Sequence, residues 1–198
     1  MILTHNHQTP KIDPTAYIAP TATICGDVTI GPSCRIMFGA CIVAEGGSIE
    51  IGSHCIVLEN AVIRSTPTHA CRIGDHCLVG PHAHLVGCTV EDEVFIATGA
   101  AIFHGATLRK RSEVRINGMV HLQTELPEDA TVPIGWVAVG VPAQILPPDK
   151  HDQIWAIQKP LNFPLTAYGI DRSEASMVKI TEHMAHRLRA HVCDTPTG

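Results

Sequence analysis

An aliphatic residue returns at every sixth position over most of this chain. Ile24, Ile30, Ile36 and Ile42 form one run, then Ile51, Val57 and Ile63, then Ile73, Val79 and Leu85, then Val90, Ile96, Ile102, Leu108 and Val114. A fixed short period of this kind is the mark of a solenoid, in which each hexad supplies a short strand and a corner and three hexads close one triangular turn. The aliphatic points into the tube and its two neighbours point out, because side chains alternate along a strand. Gly, Asp, Asn and Pro populate the corners, as at Ile73-Gly74-Asp75, where turn conformations are required. The array runs from residue 12 to about 146 behind a lead-in at residues 1–11. It predicts about seven stacked turns, with strands about 4.8 Å apart.

The pattern changes at two places inside the array. Ile63 and Ile73 are ten positions apart, so the segment Thr66–Cys71 is expected to leave a corner as a loop, either functional or merely a tolerated insertion. Leu85 to Val90 is a five-residue step, a tightened corner. Past Val141-Pro142-Ala143 the period stops, which divides the chain into a β-helix over residues 1–146 and a helical extension over 147–198 packed on it. His151–Gln158 reads as a short amphipathic helix. Pro160, Phe163, Pro164 and Tyr168 suggest an extended connector. Ser173–His191 reads as a longer helix with Ser173 as its cap. Met177, Ile180, Met184 and Leu188 fall at helical spacing and predict an apolar stripe lying along a face of the prism.

Composition narrows the picture. Only 4% of the 198 residues are aromatic, so the core must be filled by Ile, Val, Leu, Ala and Cys, which suits a narrow tube. A net charge of −5 without long runs of one sign gives nucleic-acid binding no support. No apolar run approaches the roughly 18 residues of a membrane span. The opening MILTHNHQTPKI lacks a secretory pattern, so a cytoplasmic protein is expected. There are eight cysteines and no C-x-x-C pair. Cys34, Cys55 and Cys77 each stand four residues after an aliphatic of the repeat, which marks them as core-filling thiols in a reducing compartment.

Four segments carry a family resemblance: YIAPTATICGDVTIG, IEIGSHCIVLENAVI, IGDHCLVGPHAHLVGCTVEDEVFIATGAAIFHGA and VAVGVPAQI. Over about residues 10 to 190 the chain resembles the γ-class carbonic anhydrases. The resemblance implies a left-handed parallel β-helix, a homotrimer, and zinc or a similar divalent metal at each subunit interface. Three histidines hold that ion in active members, two from one subunit and one from its neighbour. The positions that match them here are Arg64, Pro81 and Val86. The family's Arg-Gly-Asp segment aligns with Val43-Ala44-Glu45, and its acidic residue near the ligands with Glu59. Proline and valine have no side-chain donor for a metal, and a guanidinium stays protonated. The family's usual metal site is therefore not expected to form, and ordinary CO2 hydration is expected to be weak or absent.

Thirteen histidines remain from which another site could be assembled. His82 and His84 form a His-x-His pair and are the candidate ligands for a relocated zinc or other divalent ion. His104 and His121 lie one and two turns further along roughly the same face. With Glu59 they are the candidate catalytic residues, Glu59 or Glu45 serving as proton shuttle. Phe103 and His121 are expected to stack below Val86, with His104 nearer a corner and His69 reaching over from the inserted loop. The plainer alternative is that these histidines, with His54 and His76, make surface or interface hydrogen bonds at corners. His183 and His186 on the last helix read as a solvated face or a weak metal pair.

Three function classes stay open. One is a metal-dependent hydratase or hydrolase acting on a small-molecule substrate, the metal lowering a bound water to a pKa near about 7. Another is an acyltransferase using CoA, with His104 or His121 as base and Arg109, Lys110, Arg111 and Arg115 meeting a CoA phosphate; those four can equally be solvated surface. The third is a non-catalytic trimeric scaffold.

Overall fold

Three ladders of aliphatic side chains line the inside of the tube. The computed structural model describes residues 1–197. In the first sheet the inward ladder is Ile2, Ile24, Ile42, Ile63, Leu85, Ile102, Val120 and Ala138, each the register partner of the next. The second stacks Ile12, Ile30, Ile51, Ile73, Val90, Leu108 and Leu126. The third stacks Ile18, Ile36, Val57, Val79, Ile96, Val114 and Val132. All but the first member of each ladder are buried, so the hexad aliphatics are the core. The fold is a left-handed parallel β-helix of about eight turns with a short C-terminal helical segment.

Residues 1–11 are not a lead-in. Ile2–Thr4 pairs in parallel with Thr23–Cys25, and Lys11–Ile12 with Val28–Ile30, so the first turn begins at the start of the chain. The six-residue period is hidden there by a loop that closes on itself, the His5 N–H donating to the Gln8 carbonyl and the Gln8 N–H to that of His5. Glu45–Ser48 makes a second excursion at the same corner. The expected loop, in which Thr66 and His69 bridge, makes a third. Three loops thus stack at the corner between the first and second sheets.

The remaining corners need left-handed backbone, and His54, His76 and His82 all supply it, with φ of 55°, 57° and 58°. The His54 and His76 rings stack 4.9 Å apart on successive turns. Cys34, Cys55 and Cys77 are buried along one edge, their thiols facing the carbonyls of Gly52, Gly74 and Glu91 on the next turn. All eight thiols are free.

Helix α1, His151–Gln158, follows the coil and buries Ile154. The stretch expected to be an extended connector contains a helix, α2, Phe163–Tyr168. Pro164 sits in its first turn, where the missing N–H costs nothing, and Gly169 ends it in left-handed conformation. Helix α3 spans Met177–Leu188 and starts later than expected, because Ser176 caps it by accepting the Lys179 N–H. Ser173 is instead held in a turn by Asp171, to which its N–H and hydroxyl both donate. The α3 stripe packs only in its middle: Ile180 and Met184 are half-buried, whereas Met177 is 69% exposed. After α3 the chain turns back, and Thr195–Pro196 pairs antiparallel with Leu3–Thr4, bringing the two ends of the chain together. Among the described residues no helix is long and apolar enough to cross a membrane.

Candidate functional site

Outward-facing residues of the first sheet form a column that runs across the stacked turns. Val43, Arg64 and Val86 are successive register partners in it, and Phe103 and His121 continue it. The Phe103 and His121 rings lie 5.8 Å apart, as the six-residue count predicts. Helices α2 and α3 cover part of this face and enclose a pocket of about 200 Å³. The sheet contributes Arg64, His84, Val86, Phe103 and His104; Phe163, Tyr168, Met184 and Arg187 come from the helices.

Glu45, in the second corner loop, is the electrostatic hinge of the pocket. It is buried and hydrogen-bonded to Arg64, with Arg187 at 3.6 Å and His191 Nε2 at 3.7 Å. Arg64 stands where the family resemblance places the first metal ligand. Its register partner Val43 stands where the family carries an arginine. The arginine that meets acidic residue 45 therefore comes from the next strand, and the ligand position is consumed by the ion pair. Val86, directly beside Arg64, presents only methyl groups. Pro81 lies at the opposite edge of the sheet, in a backbone ladder with Phe38, Glu59, Thr98, Ile116 and Ile134. These residues do not fit the family's metal.

His104 closes the other end of the pocket. Its ring is edge-on to His69 at 5.7 Å and to Phe163 at 6.5 Å. His69 thus reaches His104 from the inserted loop, as the sequence suggests. Burial first, then the proximity of His69, Arg187, His84 and Arg64, holds the His104 imidazole down at about 4, and burial alone does the same for His121. Both rings are neutral at pH 7. Among the described residues, His104 Nδ1, Arg187 Nε and Glu45 Oε2 are buried without hydrogen-bond partners.

The structure gathers His84 and His104 around the pocket, with His121 one turn beyond Phe103. Glu59 and His82 lie on the far edge of the same sheet, His82 donating its N–H to the Glu59 carbonyl. Within one chain, His82 and His84 do not join a third ligand among the described residues. Arg187 and Phe163 carried no sequence signal for this site, because only the packing of α3 and α2 against the sheet places them here. The basic cluster is already occupied: Arg109 by Glu91 and Glu125, Lys110 by Glu93, Arg111 by Glu128 and Asp129, and Arg115 by Glu113.

The loop that carries His69 rests on Gly87, whose φ is +53° and where an added Cβ would fall 2.5 Å from that of His69. Gly87→Ala is expected to displace the loop and to cost on the order of 1–3 kcal/mol, the usual toll of a side chain in left-handed backbone with a clash. Thermal melting checks the loss, and a broadened or shifted His104 resonance checks the displacement.

No family model matches the chain. It is 32% identical to gamma carbonic anhydrase 1, mitochondrial, of Arabidopsis thaliana, over 96% of this chain and 71% of that protein. The chain belongs to the γ-class carbonic anhydrase family. Gamma carbonic anhydrase 2, mitochondrial, of the same plant is 28% identical over 85% of this chain and 61% of its own length. Among solved structures, a Bacillus cereus protein assigned as an acetyltransferase superposes with a TM-score of 0.57 at 20% identity, covering 96% of this chain and 92% of its own. That likeness is one of fold. This γ-class member therefore keeps the family scaffold while Arg64, Pro81 and Val86 occupy the ligand positions.

Proposed function

We propose that this γ-class protein is a homotrimer subunit whose interfacial metal centre has been replaced by a pocket for a small organic monoanion, on which His104 acts as proton acceptor in a hydration or hydrolysis. Two guanidinium groups against one carboxylate leave the pocket with one net positive charge, which a monoanionic carboxylate neutralises. Phe103, Phe163 and Met184 supply an apolar wall for its carbon skeleton. The observation that supports the reading is the buried, unpartnered Nδ1 of His104, a residue that lines this cationic pocket. A bound anion favours the imidazolium and so raises His104 from about 4 towards the range in which a base works at neutral pH.

The homotrimer is supported by the edge that carries Pro81. Phe38, Ile116 and Ile134 are 48%, 45% and 67% exposed there, an apolar line suited to a neighbouring subunit. A neighbour would also bring a second copy of Glu59 and His82 towards a first-sheet face, so Glu59 and His121 stay in the proposal as proton-relay groups. The CoA reading is weakened by the carboxylates that already neutralise Arg109, Lys110 and Arg111.

Calorimetric titration with a series of short carboxylic acids tests the proposal. Binding is expected in the wild type, and Arg187→Met is expected to weaken it at least tenfold, a difference of about 1.4 kcal/mol. His104→Gln is expected to bind but not turn over. Absence of binding across the series would leave the scaffold reading in its place. Binding that requires zinc and His84 would favour a relocated ion held by His82 and His84.

A further inference from the structure

A second cluster lies away from the pocket, where the two ends of the chain meet. His5 and Cys25 come from the first two turns of the coil, and His191 and Asp194 from the returning tail. One ligand atom from each lies within 4.8 Å of all the others. His5 Nδ1 is 2.6 Å and His191 Nδ1 is 2.8 Å from the Asp194 carboxylate, and the Cys25 thiol points at the same carboxylate from 3.5 Å. His5 and Cys25 are buried. The tail is held here independently of these contacts by its pairing with Leu3–Thr4 and by the Thr197 N–H donating to the Ile2 carbonyl.

We propose that His5, Cys25, His191 and Asp194 form a binding site for one divalent transition-metal ion of the zinc class, which clasps the C-terminal tail to the first turns of the β-helix.

Two imidazoles, a thiol and a carboxylate are the ligand types that zinc takes in four-coordinate sites, with bonds of about 2.0–2.3 Å. Donors at those lengths lie roughly 3.3–3.8 Å apart at tetrahedral corners, so closing the cluster needs shifts on the order of 1 Å. The outer partners point the same way. A metal-bound histidine ordinarily gives its other ring nitrogen to a polar group that fixes the ring. His191 turns Nδ1 into the cluster and Nε2 towards Glu45, 3.7 Å away. His5 turns Nδ1 inwards, and its Nε2 accepts from Asn6 Nδ2 at 3.0 Å; with a metal on Nδ1 and the ring proton on Nε2, the Asn6 amide turns over to present Oδ1 as the acceptor. The two rings stack at 4.3 Å. A cleft of about 120 Å³ bordered by His5, Asn6, Glu45, Pro67, Arg187 and His191 opens beside the two histidines of the cluster. On binding, the metal replaces the Cys25 thiol proton, which leaves to solvent, and each histidine carries its remaining proton on Nε2.

This site uses neither His104 nor the apolar walls of the pocket, so it stands or falls apart from the proposed function. It shares Glu45 with the pocket through His191, which gives metal occupancy a structural route to Arg64 and Arg187.

Cobalt(II) titration of the full chain, followed by absorption, tests the assignment. Expected is one cobalt per chain with a near-ultraviolet thiolate-to-cobalt charge-transfer band, displaced by zinc. Cys25→Ser is expected to abolish the band, and His191→Ala and Asp194→Asn to weaken cobalt binding at least tenfold. Cys193→Ser, at the exposed neighbouring thiol, and His104→Gln are expected to leave the band unchanged. Zinc is further expected to raise the melting temperature of the wild type and of Cys193→Ser, and not of His191→Ala, which keeps the buried Cys25 intact. A band that survives Cys25→Ser, a band lost with Cys193→Ser, or the absence of any thiolate band at saturating cobalt overturns the assignment.

Discussion

Acidification is expected to destabilise the folded chain between pH 6.5 and 4. An unfolded histidine takes up a proton near 6.5, whereas folded His104 and His121 hold out to about 4. In that window the unfolded state binds more protons, so stability falls as the pH falls. It is fully present above about 6.5, and the loss is complete once the pH lies below the folded values. A tenfold difference in proton affinity is worth about 1.36 kcal/mol, so each ring contributes on the order of 3 kcal/mol. Around His104 the facing charges and titratable groups are His69, Arg187, His84 and Arg64, all of which oppose its protonation. Urea midpoints measured across this range for the wild type and for His121→Leu check the expectation. The variant should lose roughly half of the acid sensitivity, and an unchanged slope would count against a buried neutral His121.

Removing the carboxylate of Glu45 is the second large perturbation. Arg64 and Arg187 would then face one another without their shared counter-ion. Breaking a buried ion pair from one side costs about 3–5 kcal/mol. Arg64 and Arg187 are 34% and 25% exposed, so water recovers part of that, and a loss of about 2–3 kcal/mol is expected for Glu45→Ala. Because Arg187 lies on α3, the helix is also expected to loosen from the sheet. Faster proteolytic cleavage near Arg187, with the β-helix core still resistant, reads that loosening. Glu45→Asp should fall between wild type and alanine. Equal melting temperatures for all three would show that the ion pair does not hold the helix.

The coil was legible because one inward aliphatic per hexad is both the signal and the core. The register that places Phe103 above His121 follows from counting sixes, and the one that places Arg64 beside Val86 follows once the ten-residue step from Ile63 to Ile73 is allowed for. The count lost the first turn because the His5–Pro10 excursion breaks the period before it is established, although Ile2 takes its place in the ladder. It also passed over Glu45–Ser48. What the period could not reach was the C-terminal segment. Pro160 and Pro164 suggested extended chain, yet a proline in the first turn of α2 is compatible with a helix. Only the fold brings Arg187 to Glu45 and His191 and Asp194 to His5 and Cys25, residues separated by most of the chain. The pocket was therefore half visible, its sheet side readable and its helix side not.

Family membership predicts a metal at the interface, and the residues at positions 64, 81 and 86 predict its absence there. Anomalous diffraction at the zinc edge, from crystals of the protein grown with zinc, addresses this directly. No peak is expected within bonding distance of Arg64, Pro81 or Val86, whatever is found at the terminal clasp. A zinc peak coordinated at those three positions would contradict the account.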